Sequence, residues 1–393
     1  MSTSIDLPKL VAAIREATCS DKDFVGLHEP IFVGKEKDYV VDCLETGWVS
    51  SVGRYVDQFE QMMADITGSV RAVAVINGTA ALHMCLLLSE VRANDEVICP
   101  ALSFIATANP IAYIGAIPHF ADVGRDTLGL DPDKLECYLQ SISTIQGDEC
   151  FNKVTGRRIK AVIAMHTFGH PVKLDRLQEV CLKYKLELVE DAAESLGSHY
   201  KGRHTGTWSK LAAVSFNGNK IVTTGGGGVI LVQDEELGKL AKHLTTTAKV
   251  PHKWEFVHDH VGYNYRLPNL NAALGCAQLE QLPAFLASKR TLAERYRGIL
   301  AEVEGVTFFD EPKDSISNYW LNTILLNEVD KGQRDEVLKY LNDNGLMARP
   351  AWTLLHKLNM YEGCPRMDLE ASEDLAQRII NIPSSTFLGG NHE

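Results

Sequence analysis

Short β-branched runs alternate with helical patterns from about residue 70 to residue 235. Residues 72–76 (AVAVI) read as a buried strand, and residues 79–89 follow as a helix that is apolar nearly all round. Further strands are predicted at 96–99, 117–120, 160–166 (KAVIAMH), 187–190, 212–216 and 229–231, with helices at 106–113 and 174–184. Strands that alternate with helices imply a mostly parallel sheet covered on both faces. Residues 146–158 (QGDECFNKVTGRR) are polar and rich in turn formers, and read as a surface excursion. After Leu267 the pattern changes to helices over 271–281 and 284–302, strands over 306–309 and 321–326, and a helix over 332–344. That is an α+β C-terminal domain, and no internal repeat interrupts it.

With 393 residues the chain exceeds one simple core, so two packed domains are expected. Hydrophobic residues make up 45% and charged residues 23%, which excludes collagen-like, coiled-coil and disordered classes. Formal charge is −12 and no Lys/Arg cluster stands out, so neither a nucleic-acid nor a membrane partner is expected. Any anionic ligand must be held by local donors. The first ten residues lack the apolar run of a signal peptide, and no stretch reaches the length of a membrane span. Nine scattered cysteines without a CxxC pair argue against a zinc ribbon or a disulfide framework and suit a reducing cytoplasm. His28-Glu29-Pro30 is not HExxH and the thirteen histidines show no ligand spacing, so no metal is expected.

Residues 214–228 (VSFNGNKIVTTGGGG) carry the most information. A strand delivers Ser215, a tight polar loop delivers Lys220, and four glycines follow. A lysine placed there can act as a nucleophile toward carbonyls; a surface lysine on a flexible turn is the ordinary alternative. Residues 188–194 (LVEDAAE) form an apolar strand that ends in acids. Ligands of open α/β sheets sit beyond the C-terminal strand ends, which is where Asp191 falls. A carboxylate there can keep a heterocyclic nitrogen protonated, and it can equally cap a short helix; spacing does not choose between the two. At Asn77-Gly78-Thr79 a strand turns into a helix whose first amides suit a phosphate. Phe104 follows the second strand and is either a stacking platform for a flat ring or a core residue. A phosphate seat, an aromatic platform, a carboxylate and a lysine at the strand ends of one sheet together match the needs of pyridoxal 5′-phosphate.

Several motifs in one order carry a resemblance: residues 47–60 (GWVSSVGRYVDQFE), 77–83 (NGTAALH), 189–195 (VEDAAES), 215–228, 262–275 (GYNYRLPNLNAALG) and 348–352 (ARPAW). The chain resembles the sugar-nucleotide aminotransferases of the DegT/StrS type, within the fold-type I pyridoxal phosphate enzymes. The resemblance implies an aspartate-aminotransferase-like α/β fold. It divides the chain into an N-terminal segment (1–55) packing on the dimer and active site, a large cofactor domain (56–262) and a small C-terminal domain (263–393). It makes Lys220 the Schiff-base lysine and Asp191 the partner of the pyridine nitrogen. Glu194 then lies near the cofactor's 3′ oxygen, a place where the family often has Gln. Gly78, Thr79 and Ser215 become phosphate ligands, Phe104 the stacking ring, and Asn264 a residue that reaches the phosphate of the neighbouring subunit. A cytoplasmic homodimer with shared sites is therefore expected. One departure stands in the glycine run, where Gly226 replaces a Glu frequent in the family.

Within that family, residues 27–40 (LHEPIFVGKEKDYV) followed by GWVSSVG are most similar to enzymes that aminate C4 of UDP-linked 4-keto-6-deoxy-N-acetylglucosamine, with L-glutamate as donor, for bacillosamine- or legionaminic acid-type glycans. Trp48, Ser50, Ser51, Arg349 and Trp352 are expected to frame the sugar nucleotide; for the two tryptophans ordinary packing is an equal alternative. Rival readings are a 3-aminotransferase of a dTDP-keto-6-deoxy sugar, a keto-sugar 3-dehydratase and a non-catalytic regulatory relative. Lys220 argues against the dehydratase branch, where His is typical at that position.

Overall fold

A computed structural model of the chain describes residues 5–328 and 332–390. Its centre is a mixed, mostly parallel sheet. In spatial order the main strands are Arg71–Val75, Gly228–Val232, Leu211–Ser215, Glu187–Asp191, Arg158–Met165, Glu96–Pro100 and Ile117–Ala121. Gly228–Val232 runs antiparallel to both neighbours, while the strands from Leu211–Ser215 to Ile117–Ala121 pair in parallel. Nearly every residue of these strands is buried, as expected for a sheet covered on both faces.

Register decides where the chemistry lies. Asp191 is level with Met165 on one side and Ala213 on the other, and Ser215 pairs with Gly228. Val75 pairs with the same glycine from the other side, so the turn after Val75 lies at this same edge. The helix Gly78–Leu88 begins there. Asn77 caps it, its Oδ1 accepting from the Ala80 amide at 2.8 Å, and Ala80 to Leu86 are buried without a break. The strands, this helix and the helix Ile105–Tyr113 match the sequence expectation to within one or two residues.

Three features differ from that expectation. The excursion over 146–158 is a hairpin, Ser143–Gln146 with Glu149–Asn152, whose second strand joins the central sheet. Buried Glu96 anchors it by accepting from Asn152 Nδ2 at 2.9 Å and from the Thr155 hydroxyl. A polar local pattern concealed this because the anchor lies in a strand more than fifty residues away. The two helices predicted around Pro283 are one, Asn269–Leu300. Proline removes one internal hydrogen bond, yet Leu279, Leu282, Phe285 and Leu292 are buried along the same helix, and that burial outweighs the loss. Helices Leu7–Thr18, Glu36–Thr46 and Arg54–Thr67 occupy the N-terminal stretch, where no elements were assigned.

A second, antiparallel sheet runs Val306–Phe308, Asn322–Leu326, Ile379–Ile382 and Arg349–Pro350. It shares a core with the first helix and the far end of the long helix, including Leu10, Ile14, Leu292, Tyr296, Ile324 and Ile380. The long helix itself also packs on the central-sheet side through Ala272, Cys276 and Phe285, and so joins the two cores. Among the described residues, no helix is long and apolar enough to cross a membrane.

Candidate active site

A cavity of about 410 Å³ opens at the C-terminal strand ends. Gly78, Thr79, Phe104, Asp191, Glu194, Ser215, Lys220 and Trp352 all line it, so one chain brings together eight residues singled out from the sequence. Asp191 is the last residue of its strand and is 6% exposed. The Thr107 hydroxyl donates to Asp191 Oδ2 at 2.8 Å and the Ala193 amide to Oδ1 at 3.3 Å. Burial raises the Asp191 carboxyl above its ordinary range, against the opposing donation from Thr107. A cation beside it would reverse that penalty.

Lys220 follows the strand Leu211–Ser215 on the turn that its own amide closes onto Asn217 O at 3.0 Å. Its Nζ lies 3.2 Å from Glu194 Oε1, and its side chain is largely buried. The Phe168 amide donates to the other Glu194 oxygen at 2.9 Å. Burial pushes the Glu194 carboxyl up to about 7, against the pull of the Lys220 charge. Phe168 has φ 57°, a left-handed conformation that costs a bulky residue energy, so its amide is held on Glu194 under backbone strain.

The phosphate-like end is built from backbone. Gly78 and Thr79 open the helix, and helix geometry gives their amides no internal partner. Space there is tight: a Cβ on Gly78 would stand 2.8 Å from the Ser215 Cβ. The free amides at this helix start suit a small anion. Phe104 is 48% exposed at the rim, with the Trp352 ring 6.2 Å from it.

Other expected residues lie elsewhere in the chain. Trp48 is exposed and lines a separate cleft with Asp42, Arg54 and Asp57. Ser50 is exposed and accepts the Asn269 amide through its carbonyl at 2.6 Å; Ser51 is half-buried beside it. Arg349 is exposed, with its guanidinium on Ala348 O at 3.1 Å. Asn264 is also exposed, its Oδ1 accepting from Arg266 at 3.2 Å. None of these five lines the Lys220 cavity. Conversely, Thr107, Asn219, Met165 and Trp320 line it without having been singled out. Thr107 stands three residues after Phe104 on the following helix, a spacing that could have drawn attention to it; Trp320 comes from the distant C-terminal part and left no local signal. Away from the cavity, His243, Asp259 and His260 gather at the surface, a grouping the histidine spacing did not disclose. His243 Nε2 lies 2.6 Å and His260 Nδ1 2.9 Å from Asp259 Oδ1.

Residues 31–392 match the model of the DegT/DnrJ/EryC1/StrS aminotransferase family. The chain belongs to that family. It is 37% identical over 365 residues to EpsN of Bacillus subtilis (strain 168), named as a pyridoxal phosphate-dependent aminotransferase, with 92% of this chain and 90% of EpsN covered. It is 36% identical to the GDP-perosamine synthase of Escherichia coli O157:H7, covering 92% and 93%. The solved structure of the aminotransferase TlmJ from Streptoalloteichus hindustanus superposes with a TM-score of 0.82 at 28% identity, covering 92% and 93%. This family member is thus a pyridoxal phosphate-dependent sugar aminotransferase of fold type I, working on a nucleotide-linked sugar and an amino donor. Its residues fit that cofactor. A buried carboxylate that forms no ion pair among the described residues, an amine, and a glycine cradle that a Cβ would fill stand in one cavity.

Proposed function

We propose that this aminotransferase moves the amino group of L-glutamate to C4 of a UDP-linked 2-acetamido-2,6-dideoxy-4-keto-hexose, for bacterial glycans of the bacillosamine or legionaminic acid type. The observation that carries the catalytic part is the Lys220 amine 3.2 Å from Glu194, in one cavity with Asp191. The sugar and nucleotide rest on the likeness of residues 27–40 and 47–53 to enzymes of that specificity.

Pyridoxal phosphate, when bound, supplies an aldehyde that reacts with amines and a ring that takes up electron density from the adjoining carbon. Lys220 is the residue that would hold the aldehyde, and its amine, when free, would serve as the general base toward the donor's α-carbon. Asp191, charged in that state, keeps the ring nitrogen protonated through a charge-assisted hydrogen bond. Gly78, Thr79 and Ser215 would hold the phosphate, and Phe104 would stack on the ring. Glu194 would serve the 3′ oxygen, where a carboxyl titrating near neutrality can hold or release a proton.

Asn264, exposed in its own chain, reaches the phosphate of a second copy in a cytoplasmic homodimer with shared sites. Trp48, Ser50, Ser51 and Arg349 meet the sugar nucleotide across the same contact, and Trp352 meets it from within the cavity. Residues 1–55, 56–262 and 263–393 act as N-terminal segment, cofactor domain and small domain in this scheme.

A second reading, a GDP-linked 4-keto sugar as acceptor, is favoured by the 36% identity to GDP-perosamine synthase. The test is to incubate the cofactor-loaded protein with L-glutamate and UDP-, GDP- and dTDP-linked keto sugars, then locate the new amine by NMR. Amination of the UDP sugar at C4 is expected. Preference for the GDP sugar replaces the first reading with the second, and amination at C3 overturns both.

A further inference from the structure

Lys289 is the least expected side chain near the site. It lies in the middle of the long helix, is 0% exposed, and among the described residues neither a hydrogen bond nor an ion pair joins it to a carboxylate. Buried ammonium groups without a counter-charge are costly. Burial accordingly holds the Lys289 amine well below the usual lysine range. Both of its hydrogen bonds go to backbone carbonyls, Trp320 O at 2.8 Å and Ser384 O. An apolar side chain would fill that helix position at lower cost, so the two carbonyls are what the amine serves.

Trp320 leads directly to the cavity. Its indole Nε1 donates to Asn219 O at 2.7 Å, gripping the residue that precedes Lys220. The Lys220 Nζ stands over its ring, 3.7 Å from the centroid, the shortest cation–ring distance among the described residues. The ring is buried and lines the cavity, so little water screens the contact.

We propose that Trp320 is the seat on which the free Lys220 amine rests, and that Lys289 is the positioning residue that fixes this seat through the Trp320 carbonyl. An amine released from the cofactor must stay within reach of the reacting carbons. Glu194 holds it from one side by charge, and the indole face holds it from the other. The arrangement keeps the displaced amine poised in the cavity instead of letting its flexible stem wander.

The catalytic meaning rests on the role proposed for Lys220, but the test needs no turnover. Competitive acetylation of the cofactor-free full-length chain, followed by peptide mass mapping, reads the reactivity of Lys220 relative to the other lysines. Trp320→Leu is expected to raise it about 2- to 30-fold. Trp320→Phe, which keeps a ring, should fall between. Lys289→Met should raise it in the same direction, and the double variant Lys289→Met with Trp320→Leu should add little to Trp320→Leu alone. Unchanged labelling in Trp320→Leu overturns the seat. A rise in Trp320→Leu without one in Lys289→Met, or fully additive rises, overturns the positioning role. Should Lys289→Met yield no folded chain, Lys289→Gln, which keeps a donor for one carbonyl, is read in the same way. A protein that passes this test yet aminates no keto sugar would refute the proposed function and leave the seat intact.

Discussion

Lys220 Nζ and Glu194 Oε1 stand 3.2 Å apart in a cavity where both side chains are almost sealed from water. The pair joins the amine of the site to a buried acid. Burial disfavours the charged carboxylate, the lysine charge favours it, and the balance leaves Glu194 near 7.

That balance makes stability depend on pH. The folded-state pKa of Glu194 lies above its ordinary 4.5, so the folded chain binds more protons than the unfolded chain between about 4.5 and about 7. Its contribution is present in full below that window and is lost as pH rises through it. Glu194→Gln removes the titration. Denaturant unfolding from pH 5 to pH 8 should show the variant gaining on the wild type up to about pH 7 and levelling beyond. Parallel profiles would mean that Glu194 does not titrate in this window.

Asp191 is the acid whose charge the ring nitrogen would restore. Asp191→Asn is expected to lower kcat by about a hundredfold or more while cofactor is still bound, because the neutral amide cannot keep the nitrogen protonated. Steady-state kinetics and the absorbance of the bound cofactor separate the two effects. Near-normal turnover would remove Asp191 from this role.

Gly78 tests the cradle. In Gly78→Ala the new Cβ would stand 2.8 Å from the Ser215 Cβ and 3.2 Å from its Oγ, so the helix start must shift away from the strand. Equilibrium dialysis should show pyridoxal phosphate binding weakened about tenfold or more, in line with the cost of overpacking. Thermal stability should fall less than that of a core truncation such as Leu82→Ala. Unchanged affinity would place the phosphate elsewhere.

Shared sites make a statistical prediction. Lys220→Ala and Asn264→Ala subunits are each expected to be nearly inactive. After unfolding and refolding together, half the dimers are mixed and one site in each mixed dimer has both residues. Activity should return to about a quarter of the wild-type level. No recovery, with mixed dimers verified by mass spectrometry, would mean that Asn264 serves only its own chain.

Much of the site is legible in the sequence. Strand alternation placed two strand ends at Glu190 and Phe216, one residue from the observed ends Asp191 and Ser215, and strand ends are where an α/β sheet binds ligands. The choice left open for Asp191, ring partner or helix cap, narrows in three dimensions: its side chain lines the cavity and receives the Thr107 hydroxyl from another element. The helix runs through Pro283 against the local pattern because propensity is local while the burial that overrides it is not.

The sequence by itself determined the layered α/β architecture, the lysine loop, the glycine cradle and the family, because periodicity and motif spacing are properties of the linear chain. Only the tertiary structure decided that Glu194 meets Lys220, that Trp320 lies beneath that amine, and that Trp48 and Arg349 stay outside the cavity of their own chain. Desolvation and contact depend on distance in space, and Trp320 is a hundred and one residues from the carbonyl its indole holds. No local pattern encodes such a meeting; it follows from how the sheet, the long helix and the C-terminal strands close on one another.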